Sequence, residues 1–342
     1  MNTAINHKSK IAFLFSFLIG WAMFFFACKD IGNPVDIKPC PLFLTIPTPP
    51  YNSPVWHPSG EFIGFNHIPL RRIEYPYGEH CQGDQYFQGD STGFWLINPD
   101  GTNIRRIFPF TLQSPAWSPD GEWIAFCAPQ GSDVNIFKMR FTGTTFDTTT
   151  LVQLTFAGRN FFPAWSPDGI WIAYDSNQDS PNGMNFIWKM RSDGSEKLRI
   201  AYTPNQGEIR VPNWSPNGKT IAHLRYVGVG EPEIFVMDTS GGTPLRLTSD
   251  NEFDSHPRYS PDGTRIAFWS GGDIRLMDSL GANRKQLTTD RVDGSFGLPF
   301  SWSADGSSIV YARYDFKNYG YSNGVLWVVE VSTKVMRQLT FN

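Results

Sequence analysis

Gly89-Asp90-Ser91-Thr92-Gly93 matches the G-x-S-x-G pattern that presents a nucleophilic serine. Such a serine needs a sharp strand-to-helix turn in a large parallel sheet. Here the pattern lies in a polar stretch with no helix after it and no chain left over for a hydrolase domain, so a catalytic Ser91 is not expected. His256 is a second candidate, because Asp250, Glu252 and Asp254 precede it closely and an imidazole beside carboxylates can do acid–base work. No H-E-x-x-H, C-x-x-C or EF-hand spacing occurs, so neither a metal nor a cofactor is expected. Four cysteines are too few for a disulfide-built scaffold. Cys127 lies in a strand-like apolar run and reads as a buried, inert thiol. Cys40 and Cys81 either pair in an oxidising compartment or stay as two free thiols in loops.

The elements that must position these residues are short strands. Of 342 residues, 40% are hydrophobic and 15% aromatic, with 31 Gly and 26 Pro to make turns. Charged residues make up 18% and the net charge is −3, which removes the electrostatic footprint of a general nucleic-acid binder.

One pentapeptide recurs six times: Trp56 to Gly60, Trp117 to Gly121, Trp165 to Gly169, Trp214 to Gly218, Tyr259 to Gly263 and Trp302 to Gly306. Two copies read W-S-P-D-G and the other four depart from it at one or two positions, and the steps between them are 61, 48, 49, 45 and 43 residues. Proline sets φ at the first corner of a type I turn, Asp or Asn suits the next position, and Gly accepts the left-handed conformation that closes it. A β-rich run follows each turn, such as Trp123-Ile124-Ala125-Phe126, and Ile recurs in all six. The aromatic opening each copy is expected to pack between neighbouring units rather than to bind a ligand.

A second hairpin completes each unit. Runs such as Phe137-Lys138-Met139 are followed by a turn glycine in five copies and by Thr333 in the sixth, and then by runs such as Gln153-Leu154-Thr155. Strand, turn, strand, strand, turn, strand, repeated six times at a period in the forties, predicts an all-β, six-bladed β-propeller with four-stranded antiparallel blades. The blades are expected at about 51–108, 114–155, 162–200, 211–248, 255–288 and 298–341.

W-S-P-D-G followed by I-A-F, an aromatic-x-Met and a closing L-T resembles the TolB-type propeller repeat, over residues 51–342. The family's founding member carries an α/β domain before its propeller. Only a short tether precedes the first blade here, so that domain is not expected.

The N-terminal residues read as an address. His7, Lys8 and Lys10 precede an uncharged stretch from Ile11 to Ala27, the layout of a secretory signal over residues 1–27. Phe25-Phe26-Ala27-Cys28 resembles a bacterial lipobox, departing from it at Phe26 where a small residue is usual. That resemblance implies lipidation of Cys28, a Pro-rich tether over 28–50, and a chain held to a membrane by acyl chains. An uncleaved N-terminal anchor is the alternative, and both layouts place the bulk of the chain outside the cytoplasm.

The connections between blades each end at a proline shortly before the repeat aromatic, and they gather charges that are sparse elsewhere. Arg159, Asn160, Phe161, Arg210, Asp254, His256 and Asp293 precede inner strands and are expected to meet around one channel mouth. Mixed signs and aromatics suit a protein or peptide partner better than a phosphate or a sugar. The reading is therefore a non-catalytic, monomeric cell-envelope lipoprotein that binds a protein or peptide through a loop face. The alternative is a hydrolase or carbohydrate-processing protein acting at the channel mouth, which needs clustered carboxylates or a His–carboxylate contact at a deep pocket.

Overall fold

A computed structural model describes residues 51–74, 84–87, 89–200, 207–228, 230–289, 299–313 and 325–340. Cys28, Cys40, Cys81 and Asp293 lie outside these residues, as do the N-terminal signal and the tether.

Six four-stranded antiparallel sheets follow one another along the chain, and no helix occurs among the described residues. Their innermost strands are Tyr51–Trp56, Gln113–Trp117, Asn160–Trp165, Ile209–Trp214, Asp254–Tyr259 and Phe300–Trp302. The outermost strands end at Phe108, Gln153, Arg199, Arg246, Gln286 and Gln338, close to the boundaries that the repeat predicts. The first blade differs in one respect. Its long second connection contains a separate two-stranded hairpin, Leu70–Glu74 with Asp84–Phe87.

The repeat motif folds through the same turn in every blade. In all six, the glycine N–H donates to the carbonyl three residues back, at 2.8–3.0 Å. In the second blade, the Ser118 hydroxyl donates to Asp120 at 2.5 Å and accepts from the Trp123 N–H at 2.9 Å. The side chains thus satisfy turn groups that the strand ladder leaves open. Gly121 sits at φ 73°, the left-handed region that glycine enters without steric cost. Where the sixth blade lacks a glycine in its second hairpin, Lys334 takes the left-handed position at φ 61°.

Packing between blades comes from the same motif. The recurring Ile63, Ile124, Ile172, Ile221, Ile266 and Ile309 are all 0% exposed, each contributing about 1.5–3 kcal/mol of apolar burial. The motif tryptophans also reach across to the preceding blade. Trp165, Trp214 and Trp302 donate their indole N–H to the carbonyls of Ala116, Ala164 and Arg258 at 3.0–3.1 Å. Blade one closes the ring against blade six through a shared core of Ile63, Phe65 and Ile97 with Val310, Leu326 and Val328. The Ser301 hydroxyl accepts from the Trp56 N–H at 3.0 Å across the same seam.

Candidate functional site

Each inner strand starts at a connection between blades and runs down the axis to its motif turn. In five blades a bulge interrupts the pairing of this strand with its neighbour, at the residue preceding the proline. Those residues, Ser53, Ser114, Phe162, Val211 and His256, have φ between 49° and 55°. A left-handed residue of this kind costs about 1–2 kcal/mol, and bulges of this sort re-aim side chains at sheet rims. The inner strands enclose a central cavity of ≈ 240 Å³, lined by residues such as Pro54, Pro115, Phe162, Arg258 and Phe300.

A cluster of rings and guanidiniums forms at one side of the mouth. Arg159 lies over the Phe161 ring at 5.6 Å, and Arg210 lies over Phe161 and Phe162 at 5.7 and 5.8 Å. Phe162 meets the His256 ring edge to face at 5.5 Å, across the gap between blades three and five. Cation–π contacts of this kind are worth about 0.5–2 kcal/mol and hold the guanidiniums over the rings.

Asp175, on the second strand of blade three, anchors the cluster from below. It is 0% exposed, accepts from the Val211 N–H at 3.0 Å and pairs with Arg210 at 3.6 Å. Glu208 flanks the same guanidinium at 3.9 Å. Burial raises the Asp175 carboxyl to about 7, although the Arg210 charge and the Val211 hydrogen bond pull it down. Asn66 occupies the corresponding place in blade one and ties Leu112 by two hydrogen bonds of 2.8 Å. Asp175 is its ionisable counterpart and holds the following inner strand two residues further along, at Val211.

His256 does not have the properties of a general base. It is 8% exposed, its Nδ1 lies 3.2 Å from the Ser255 hydroxyl, and burial followed by the Arg258 and Arg210 charges lowers its pKa to about 3. The carboxyls with raised values, Asp175 and Asp254, are both 0% exposed and neither lines the cavity. Arg258 does line it. Its guanidinium donates to the Pro257 carbonyl at 3.1 Å, burial lowers it to about 10, and no carboxylate pairs with it among the described residues.

Of the residues singled out in the sequence, Arg159, Phe161, Arg210 and His256 come together at this mouth. Asn160 and Asp254, from the same loops, are 0% exposed and sit at the joints between blades. Asn160 donates to the Val134 carbonyl at 2.8 Å instead of facing outwards. Sequence reasoning missed Asp175, whose only signal is an acidic residue where blades two, four, five and six carry Cys127, Leu224, Trp269 and Ala312. Ser91 lies in a turn leading into a strand, where its carbonyl accepts from the Trp95 indole at 3.1 Å. The strand-to-helix elbow is not formed there. Cys127 is buried and burial pushes its thiol up, as its place in a strand implies.

The family model for the TolB beta propeller domain, PD40, matches residues 101–228 and 205–341. The chain belongs to this TolB propeller family. Among solved structures it is similar to a putative TolB from Agrobacterium tumefaciens, with TM-score 0.56 and 20% identity over 75% of this chain and 87% of that one. It is similar also to TolB from Acinetobacter baumannii, with TM-score 0.59 and 22% identity over 81% of this chain and 63% of that one. At such identities the likeness concerns the fold. Among curated proteins, the "Uncharacterized peptidase YuxL" of Bacillus subtilis is 26% identical over 164 residues, 48% of this chain but 22% of that protein. The "Uncharacterized protein Atu1656" of Agrobacterium fabrum is 28% identical over 159 residues, 40% of this chain and 53% of that protein. The matches thus span well under two thirds of these relatives.

Proposed function

We propose that this TolB-family propeller is a non-catalytic, lipid-anchored protein of the cell envelope that binds a protein or peptide at its channel mouth. The Arg–Phe cluster beside the central cavity carries the reading. Arg159 is exposed, Arg258 lies inside the cavity, and neither has a carboxylate partner among the described residues. Phe161 and Phe162 are half-buried, and the left-handed bulge at Phe162 sets how they project. Rigid aromatics and arginines at a concave rim are the residue types that anchor partner interfaces. Their chemistry suits an acidic segment that also carries an apolar side chain. The envelope location rests on the signal-like N-terminus, the lipobox resemblance at Cys28 and the family.

Acid–base catalysis at the mouth is disfavoured on the same grounds. Among the described residues, the histidine there, His256, is too weak a base, and the perturbed carboxyls are sealed away from the cavity. A pairing of Arg159→Ala with Phe161→Ala tests the binding reading, because Arg159 is exposed and neither side chain closes a buried polar network. Capture of partners from envelope extracts by the purified chain should fall about 30-fold, the weight of an anchor worth about 2 kcal/mol, with little change in melting temperature. Unchanged capture by the double variant would exclude this face.

A further inference from the structure

Where blade four meets blade five, three carboxylates converge. Glu233 is near the start of the strand Pro232–Asp238, Asp254 opens the inner strand of the next blade, and Asp250 lies in the loop between them. One oxygen from each lies within 4.8 Å of the others. Glu233 and Asp254 are 2% and 0% exposed, whereas Asp250 is open to solvent. Arg246 takes Oε1 of Glu233 at 2.8 Å, and Arg284 pairs with Oδ2 of Asp250 at 3.3 Å. Glu233 Oε2 and both oxygens of Asp254 remain buried without a hydrogen-bond donor. The Ser270 and Thr248 hydroxyls approach Asp254 but close no hydrogen bond to it.

The repeat supplies an internal comparison. Asn135 and Asn160 hold the corresponding positions where blade two meets blade three. There the Asn160 amide donates to the Val134 carbonyl at 2.8 Å and towards Asn135 Oδ1 at 3.4 Å, and the Thr155 hydroxyl donates to the same Oδ1 at 3.1 Å. Amides close that joint because each brings donors as well as an acceptor. Ionised carboxylates bring acceptors only, so the joint between blades four and five keeps the threonine, as Thr248, but loses the amide donors. Two guanidiniums against three carboxylates leave one negative charge uncompensated in a buried place.

We propose that Glu233, Asp250 and Asp254 form a divalent-cation site, best fitted to Ca²⁺, that clamps blade four to blade five. An all-oxygen donor set suits a hard cation rather than zinc, which prefers nitrogen and sulfur. Calcium accepts oxygens at about 2.3–2.6 Å in a flexible arrangement, so two ligands on opposite sides of it stand roughly 5 Å apart, which the 4.8 Å spread accommodates. Exposed Asp250 provides the entry path, and water completes the coordination shell. The guanidiniums weaken the site, which places its dissociation constant in the 10⁻⁴–10⁻³ M range, on the order of extracellular calcium modules. This holds whatever occupies the channel mouth.

The test uses the whole purified chain, stripped with EDTA, in calorimetric titrations and thermal melts with CaCl₂. The melting temperature should rise by about 3 °C when calcium reaches roughly ten times its dissociation constant. Asp254→Asn recreates the Asn160 joint, and it should abolish the calcium response while raising the metal-free melting temperature. Glu233→Gln should also abolish the response, and it decides the matter alone if Asp254→Asn does not fold. A wild-type chain unmoved by about 10 mM CaCl₂, well above that range, would overturn the site. So would either folded variant keeping the full shift, or an equal response to MgCl₂ at matched ionic strength.

Discussion

His223→Phe should lose about 2 kcal/mol less stability than the wild type between about pH 7 and about pH 4.5. His223 is 0% exposed, at the strand position that Phe65, Phe126, Tyr174, Phe268 and Tyr311 hold in the other blades. Its Nδ1 lies 3.1 Å from the Phe235 carbonyl, so that nitrogen carries the hydrogen, while Nε2 is buried with no partner. Burial, with the Arg225 charge second, lowers its pKa to about 3. The unfolded chain protonates this histidine near pH 6.5, and the folded chain does not until about pH 3. Its stabilising contribution is therefore complete above about pH 6.5 and drains away as the pH falls towards 3. Phenylalanine removes that proton-linked loss and restores the residue type of the other blades. Urea unfolding at a series of pH values measures the difference, and parallel curves for variant and wild type would refute it.

Arg210→Ala is expected to cost about 2–3 kcal/mol at pH 8, much of it through Asp175 rather than through exposed contacts. The sequence places Arg210 on a loop, where truncation is usually cheap. In the structure its guanidinium is 30% exposed and is the counter-charge of a carboxylate that is 0% exposed. The cost stays below that of a fully sealed pair because the guanidinium is partly solvated and the carboxyl can take up a proton. The pH dependence follows from the raised Asp175 value, about 7. A carboxyl that is harder to ionise in the folded state favours folding below its unfolded pKa of about 4, and that advantage is lost as the pH rises through 7. Removing Arg210 raises the folded value further, so the deficit should be largest at pH 8 and nearly absent at pH 5. Asp175→Asn in the same chain should recover most of the loss, since Asn66 shows that an amide serves in this place. Thermal melts of the single and double variants at both pH values decide it. A deficit independent of pH would mean that Arg210 acts through packing alone.

The propeller was legible because each blade writes its turn chemistry into the same few residues. Pro119, Asp120 and Gly121 determine a turn locally, and six copies of that turn count the blades. The site was half legible for the same reason. Arg159, Phe161, Arg210 and His256 gather at the mouth because all of them lie where an inner strand begins, a few residues before its motif aromatic. Asn160 and Asp254 occupy equivalent positions too, yet they point into the joints between blades, because the strand alternation and the bulge send the first residue of the strand inwards. Asp175 was invisible. Its role depends on Arg210 and Val211 of the following blade, contacts that no local pattern announces. The donor-poor joint of Glu233 and Asp254 likewise emerges only when blades are superimposed on one another.

Photocrosslinking from position 161 tests the binding account most directly. A photoreactive phenylalanine analogue replaces Phe161 in one chain and Leu280 in another, Leu280 being 79% exposed at the second-hairpin turn of blade five. Irradiation in intact cells should give a defined protein or peptide adduct from position 161, reduced when Arg159→Ala is present, and none from position 280. No adduct from position 161, or the same adducts from both positions, would contradict partner binding at the channel mouth.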